Sequence, residues 1–298
     1  APAPAAAMQG DRVASGLGSL APMNSLASRF RPLLEKPLPT FMEAMAEIDK
    51  AGVIPHVMKE AKVTLQHAQD QKKFGKLKDD PLSVDGIACI MKYTAEDTQP
   101  PVYKDLNDKC YLKDRTNIDP YGMYVVGTLQ HMKQTKPFPN GTVNRGVKAD
   151  LKEDYQKGRE FTWHGFCSTT KSIEVLNNSM FCGSSGKRTI FQIALTQGQA
   201  RDITRYSLIS AEDEVLLPPG CRFKVESVLP QGDLTIIQLK ELPSTEWIVD
   251  LSPKGLGAVP AGAAPLPTGG APSALGLGFR LTIHSIEGSS VSWMIVRS

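Results

Sequence analysis

The chain has 298 residues, of which 41% are hydrophobic and 22% are charged, and its formal net charge is +3. This composition is ordinary for a folded protein and excludes a fibrous or wholly disordered chain. The small positive charge is too weak to indicate nucleic acid or an acidic membrane as a bulk electrostatic partner, so any anion has to bind at a local site.

The first half of the chain has the apolar spacing of helices. Thr40 and Glu43 form a capping-box pattern before an apolar face, and Gly52 ends this helix. Pro55 suits the first position of a second helix that ends at Gly75. Further helices are predicted at 82–93, 100–109 and 119–136.

After Pro139 the sequence changes to short apolar segments separated by Gly, Asn and Ser, which is typical of strands. Strands are predicted at 142–147, 160–168, 188–195, 200–204, 213–217, 221–229 and 234–240. Helices followed by strands favour an α+β fold with a mostly antiparallel sheet.

Both ends of the chain are rich in Ala, Pro and Gly. We expect a flexible tail over 1–24 and a linker over 251–298, whose last twenty residues alternate as in a short hairpin. The remaining residues, 25–250, are predicted to form one domain with a helical part at 25–136 and a β-rich part at 137–250.

The cysteines and histidines, five of each, have neither a CxxC pattern nor metal-ligand spacing. We therefore expect no disulfide scaffold and no metal. The sequence also lacks a recognisable signal peptide, membrane span or lipid-anchor signal. We expect a soluble protein, and the sequence does not indicate its compartment.

Three acids stand directly before an apolar strand in ISAEDEVLLPPG, residues 209–220. Because side chains alternate in a strand, Glu212 and Glu214 are predicted to point to one face and Asp213 to the other. Paired carboxylates favour a cationic ligand and occur at functional sites. Taken alone, the motif is also typical of an acidic surface turn.

Two further segments place polar side chains in apolar strands. TVNRGVK contains Arg145 before Gly146, and a guanidinium suits phosphate oxygens, although a strand arginine commonly forms a salt bridge instead. GFCSTT ends a strand with Ser168, Thr169 and Thr170, whose hydroxyls can orient a carboxylate or cap a turn.

In this order, the Arg-Gly strand, the Phe-x-Ser-Thr-Thr strand and the Glu-x-Glu strand resemble the Arg-Ser-Glu signature of arginine-specific mono-ADP-ribosyltransferases. KYTAEDTQPPVYKDLN (92–107) and EVLLPPGCRFKV (214–225) are also similar to this family. The resemblance spans about residues 84–241, and Thr170 stands where the family usually has a second serine. It implies a helical N-terminal part packed on a split, mostly antiparallel β-sandwich, with NAD in the cleft.

The resemblance also implies roles for the residues at the NAD site. Arg145 would hold the NAD phosphates or the adjacent ribose, and the Gly146 backbone would bind the nicotinamide carboxamide. Ser168 would orient Glu214, the residue that binds the nicotinamide ribose. Thr169 would lie at the same site.

Three other residues complete the implied site. Glu212 would receive the acceptor, since a glutamate at this position goes with arginine acceptors in the family. Tyr206 is similar to an aromatic residue of the acceptor-recognition turn. Phe181 is similar to an aromatic residue that stacks on nicotinamide, and a core phenylalanine is the alternative.

The implied function is that of an enzyme, an NAD(+)–protein-arginine ADP-ribosyltransferase that uses NAD as co-substrate and releases nicotinamide. The implied partners are NAD and an arginine-bearing protein, without nucleic acid or membrane, and we expect a monomer. Two alternatives share these residues: an NAD glycohydrolase with water as its main acceptor, and a non-catalytic NAD-binding module of the same fold.

Overall fold

The computed structural model describes residues 25–177, 182–208 and 213–253. The predicted N-terminal tail, nearly all of the C-terminal segment with its hairpin, Phe181 and Glu212 lie outside these residues. Within the described part, no helix is both long enough and apolar enough to span a membrane.

Helices occupy the first half of the described chain, around one apolar core. They are α1 (Leu26–Phe30), α2 (Phe41–Lys50), α3 (Val57–Lys73), α4 (Val84–Tyr93), α5 (Val102–Cys110) and α6 (Gly122–Met132). Short 3-10 helices at Arg31–Glu35 and Arg115–Tyr121 connect α1 to α2 and α5 to α6. A third, at Glu174–Asn177, lies in the β-rich half.

Two helix starts show what local chemistry predicts and what it misses. The capping box before α2 is confirmed: Thr40 Oγ1 accepts a hydrogen bond from Glu43 N–H, and Glu43 Oε2 accepts one from Thr40 N–H. The predicted start of α3 at Pro55 is wrong. His56 adopts a left-handed conformation with φ 60°, which an α-helix cannot contain, so α3 begins at Val57.

Eight strands lie in the described part of the second half. They are β1 (Gly141–Val147), β2 (Glu160–Trp163), β3 (Cys167–Thr170), β4 (Arg188–Leu195), β5 (Arg201–Asp202), β6 (Glu214–Leu217), β7 (Cys221–Gln231) and β8 (Leu234–Leu242). Their order in the sheet is β2-β7-β8-β4-β1-β3-β6-β5. Among these pairs β4 and β8 are parallel and the others antiparallel, which confirms the predicted α+β fold.

The single strand predicted over 160–168 is wrong, because the structure has two strands there. Residues 164–166 leave the sheet between β2 and β3. β2 pairs with β7, whereas β3 pairs with β6, so β2 and β3 lie five positions apart in the sheet order. Both strands carry buried apolar residues, so the apolar spacing of the sequence does not reveal that they pair with different neighbouring strands.

The sheet is split between β1 and β3. β1 pairs with β4 along its whole length, from Gly141 to Val147, but with β3 only at Asn144 and Thr170. β3, β6 and β5 therefore form a smaller sheet beside the five-stranded one. Along β6, Leu216 belongs to the helical core, whereas Val215 and Leu217 belong to the core of the β-rich half.

A buried arginine ties the smaller sheet to the helices. Arg201 of β5 donates hydrogen bonds to the carbonyl oxygens of Met132 at the end of α6, of Gly198 and Ala200, and of Leu251. Burial lowers the pKa of this guanidinium to about 10, and the four carbonyls offset part of the cost of burying it. The contacts fix β5, and hence β6, against the helical half.

Candidate active site

Glu214 is a buried carboxylate at the first residue of β6, with 3% of its surface exposed. Its Oε1 accepts a hydrogen bond from Ser168 Oγ on β3 at 2.5 Å. Ser168 lies opposite Leu216 in the antiparallel register, so Ser168 and Glu214 are diagonal neighbours on one face. Since Leu216 packs into the helical core, this face is directed towards the helices.

The environment of Glu214 changes its acidity. Burial raises the pKa of its carboxyl, and hydrogen bonding by the hydroxyls of Ser168 and Ser207 opposes this rise. The second oxygen, Oε2, is also buried, and no described group completes a hydrogen bond of good geometry to it. The Ser168 hydroxyl thus fixes one carboxylate oxygen in place.

Arg145 connects β1 to this pair across the split in the sheet. Its side chain is buried, and its Nη1 donates a hydrogen bond to the carbonyl oxygen of Ser168 at 2.9 Å. The guanidinium therefore holds the backbone of the residue whose hydroxyl holds Glu214. The structure brings these three predicted residues together through direct contacts.

Gly146 has no room for a side chain. A Cβ built there would lie 2.6 Å from Cys182 Cβ and 3.3 Å from Leu176 Cδ2. Leu176 belongs to the 3-10 helix Glu174–Asn177, which packs here together with the buried Cys182. The glycine thus allows another segment of the chain to approach the β1 backbone closely.

The two threonines after Ser168 use their hydroxyls within the fold. Thr169 Oγ1 donates to the carbonyl oxygen of Val215 at 2.7 Å, across the β3–β6 pair. Thr170 Oγ1 accepts from Ser172 N–H at 3.2 Å and caps the turn that follows β3. Contact between Thr169 and NAD stays a prediction.

The acidic residues before β6 differ in exposure. Asp213 is exposed, and its carboxylate lies 3.5 Å from Lys171 Nζ, whereas Glu214 is buried. Asp213 has φ 44°, so the strand starts at Glu214, one residue later than predicted. The alternation of side chains along a strand therefore does not tell which way Glu212 points. Its orientation towards the face of Glu214 and its role at the acceptor stay predictions.

Tyr206 lies in the loop between β5 and β6 and is buried. Its hydroxyl donates to the Asp80 carboxylate, at 3.0 Å from Oδ1 and 2.9 Å from Oδ2. The side chain is thus directed towards the connection between α3 and α4. Its predicted part in acceptor recognition stays a prediction.

Sequence reasoning missed two polar residues near Glu214, Tyr93 and Ser207, and also Asn107, which contacts Tyr93. Tyr93 of α4 is buried; burial raises the pKa of its hydroxyl, the Glu214 charge raises it further, and Arg145 lowers it. Asn107 Nδ2 donates to this hydroxyl at 3.3 Å. Tyr93 and Asn107 lie in KYTAEDTQPPVYKDLN, so its resemblance to the family was a usable signal, whereas nothing in the sequence indicated Ser207.

Metal ligands need several suitable side chains in one place. Among the residues that the structure describes, no group of three or more His, Cys, Asp and Glu side chains could hold a metal ion. That no metal takes part stays a prediction.

We predict that Gly146→Ala lowers the free energy of unfolding by about 1–3 kcal/mol, because the added methyl group overpacks against Cys182. Thermal or denaturant unfolding of the purified protein measures this change. Gly141→Ala is the matched control, since a Cβ at this other glycine of β1 meets only the Pro139 carbonyl oxygen, at 3.8 Å. Equal stability of the two variants would contradict the close approach at Gly146.

Comparison with known proteins agrees with this geometry. The family model described as NAD:arginine ADP-ribosyltransferase matches residues 40–246. A curated relative from Mycobacterium avium (strain 104), named "Putative NAD(+)--arginine ADP-ribosyltransferase Mav", is 33% identical over 165 residues. The match covers 54% of this chain and 18% of the relative, so the matched part of the chain spans less than a fifth of that protein's length.

Solved structures share the fold at low sequence identity. The ADP-ribosyltransferase HopU1 of Pseudomonas syringae pv. Tomato DC3000 is 19% identical with a TM-score of 0.50, covering 60% of this chain and 87% of that chain. The eucaryotic mono-ADP-ribosyltransferase ART2.2 is 17% identical with a TM-score of 0.50, covering 78% and 95%. The type III effector XopAI from Xanthomonas axonopodis pv. citri is 18% identical with a TM-score of 0.50, covering 76% and 96%.

These structural likenesses support the fold alone, whereas the family model matches the sequence over most of the chain, including all three strands that carry Arg145, Ser168 and Glu214. The resemblance inferred from the three strand motifs is confirmed, and the chain belongs to the NAD:arginine ADP-ribosyltransferase family.

Proposed function

We propose that this chain transfers ADP-ribose from NAD to the arginine side chain of a protein and releases nicotinamide. Family membership supports this reaction. The observation that carries it is the contact series from Arg145 to Ser168 to Glu214, which holds a buried carboxylate at a fixed place beside the helical half. The proposed partners are NAD and an arginine-bearing protein. We further propose a monomeric enzyme that needs no metal and binds neither nucleic acid nor a membrane.

In the first step the bond between C1′ of the ribose and the nicotinamide nitrogen breaks. Nicotinamide leaves with the bonding electron pair, so positive charge develops on the ribose. A carboxylate that is already held in place stabilises this charge more in the transition state than in the ground state. Ser168 holds Glu214 Oε1, which leaves Oε2 for a hydroxyl of the same ribose.

In the second step a guanidinium nitrogen of the acceptor forms a bond to C1′ and loses a proton. A guanidinium is fully protonated near neutral pH and is a poor nucleophile, so a nearby base has to hold it and accept the proton. We assign this work to Glu212, which precedes Glu214 by two residues. The assignment rests on the sequence motif.

The remaining predicted residues would bind NAD. Arg145 would contact the phosphates or the adjacent ribose, and the Gly146 backbone would bind the nicotinamide carboxamide. Thr169 and Phe181 are proposed to lie at the same site.

Replacement of the carboxylate tests the reaction. Glu214→Gln keeps the size of the side chain and an oxygen that can accept from Ser168, but removes the charge that stabilises the ribose cation. We expect nicotinamide release by the purified protein to fall about 100-fold or more. Glu241→Gln changes another buried carboxylate, remote in the sheet order, and should retain release.

Two outcomes would overturn the proposed function. Unchanged nicotinamide release by Glu214→Gln would remove Glu214 from the reaction. NAD binding by the wild-type protein without any nicotinamide release would favour the non-catalytic module.

The acceptor assignment predicts that Glu212→Gln abolishes transfer to the guanidine agmatine while much of the hydrolysis of NAD remains. Mass spectrometry of modified agmatine and chromatography of free ADP-ribose measure the two products. Asp213→Asn is the matched control, because Asp213 is exposed and asparagine tolerates its positive φ. Undiminished transfer by Glu212→Gln would refute the role of Glu212.

The pH profile tests the hydrogen bond between Ser168 and Glu214. Burial raises the pKa of Glu214 above the ordinary 4.5, and the Ser168 hydroxyl lowers it, so Ser168→Ala should raise it further. Activity needs the ionised carboxylate, and therefore the acid limb of the profile for nicotinamide release should move to higher pH in this variant. Thr170→Val, which removes a hydroxyl that caps a turn, should leave the limb in place.

A further inference from the structure

Ser207 carries a second hydroxyl that holds the Glu214 carboxylate. It lies in the loop of residues 203–208 with 4% of its surface exposed, and its hydroxyl donates a hydrogen bond to Glu214. Ser168 donates from the neighbouring strand β3, whereas Ser207 belongs to the segment between β5 and β6. The carboxylate is therefore held from two separate parts of the chain.

The loop closes on itself and on the backbone of Glu214. Tyr206 N–H and Ser207 N–H donate to the carbonyl oxygen of Ile203, at 2.8 and 3.0 Å. Ile203 N–H in turn donates to the carbonyl oxygen of Glu214 at 3.0 Å, and Thr204 Oγ1 donates to the same oxygen at 3.4 Å. The turn that carries Ser207 is thus bonded to the backbone of the residue whose side chain Ser207 holds.

The helical half holds this loop through a buried carboxylate. Asp80, in the connection between α3 and α4, has 3% of its surface exposed. Besides the two contacts from the Tyr206 hydroxyl, its Oδ1 accepts from Leu82 N–H at 3.0 Å, and its Oδ2 lies 3.2 Å from Arg205 Nη1. A buried carboxylate is costly without such partners, so the two side chains that precede Ser207 are constrained.

Two further contacts attach the loop on either side of Ser207. Arg205 Nη2 donates to the carbonyl oxygen of Lys76 at 3.1 Å, and Leu208 N–H donates to Thr94 Oγ1 at 3.1 Å. The helical half therefore holds the loop before and after this serine, which limits where its hydroxyl can point.

We infer that Ser207 is a positioning residue for Glu214 and that Asp80 keeps it in place: Asp80 fixes the 203–208 loop, and the loop presents the Ser207 hydroxyl to the carboxylate that acts on NAD. This inference rests on the proposed function. Asp80 then influences the breaking of the bond to nicotinamide through the loop.

A hydroxyl donor stabilises the ionised form of a buried carboxylate. Burial raises the pKa of Glu214, and Ser207 opposes this rise as Ser168 does. Two other groups near Glu214 keep one charge state in acid: Arg145 stays a cation, and the pKa of the Tyr93 hydroxyl lies well above its ordinary value. A changed pKa of Glu214 in a loop variant would therefore come from the lost donor rather than from these groups.

The first test measures the pKa of Glu214 by NMR titration of the full chain, isotope-labelled at the glutamate side-chain carboxyl carbons, with Glu214→Gln to assign the signal. Ser207→Ala should raise this pKa by about 1, because a hydrogen bond to a charged group is strong. Ser227→Ala is the matched control, since it removes a hydroxyl that bonds to Gln238 on the β7–β8 pair, and it should leave the pKa in place. An unchanged pKa in Ser207→Ala would overturn the inference.

Asp80→Asn tests the anchor, and the direction of the change decides. Loss of a negative charge by itself would lower the pKa of Glu214, whereas loss of the Ser207 donor raises it. We expect a rise in Asp80→Asn, and no further rise in the double variant with Ser207→Ala than in Ser207→Ala alone, because both changes remove one contact. A fall, an unchanged pKa or additive rises would overturn the role of Asp80.

Nicotinamide release gives a second measurement. In Ser207→Ala the acid limb of kcat/KM for release should move to higher pH by the amount that NMR gives for the free enzyme. Glu241→Gln is the matched control for Asp80→Asn, since this buried carboxylate accepts from Thr196 N–H at 2.6 Å, and it should keep the wild-type limb.

The two measurements separate the inference from the proposed function. A raised pKa of Glu214 with an unmoved acid limb would overturn the part of Ser207 in the reaction. A wild-type protein without nicotinamide release would overturn the proposed function, and the NMR titration would still decide whether Ser207 and Asp80 hold Glu214.

Discussion

The hydrogen bond from Ser168 to Glu214 is the contact on which the rest of the site depends. A carboxylate with almost no exposed surface has to be satisfied by donors, and here the donor comes from the neighbouring strand. The bond exists because β3 and β6 pair in one register, which places Ser168 diagonally opposite Glu214. A shift of that register by one residue would turn Ser168 to the other face and leave the carboxylate without this partner.

The split in the sheet also separates Arg145, on β1, from Ser168 and Glu214, on β3 and β6. Arg145 reaches across the split and binds the Ser168 carbonyl oxygen. The proposed reaction needs this carboxylate for the positive charge on the ribose. Burial would strengthen that interaction, because a charge interacts more strongly where water is excluded.

The helical half is part of the site. The face of β6 that carries Glu214 also carries Leu216, which packs into the helical core, and Tyr93 of α4 lies near the carboxylate. Asp80, between α3 and α4, accepts hydrogen bonds from the hydroxyl of Tyr206, so the helical half also contacts the loop before Glu214. The helices thus hold the loop before Glu214 and form one wall beside this carboxylate.

The sequence by itself determined whatever depends on local chemistry and periodicity. The capping box of α2, the change from helices to strands, and the family signature could all be inferred from neighbouring residues. Each of these features rests on side chains within a few positions of one another, or on motifs whose order along the chain is distinctive.

Only the tertiary structure decided which distant groups meet. It placed β2 and β3 in different parts of the sheet, closed the space beside Gly146 with Cys182, and attached Tyr206 to Asp80. The last two residues are 126 positions apart in the chain. Periodicity tells which face of an element is buried, but the partner on that face is set by the packing of whole elements, which a single sequence does not encode locally.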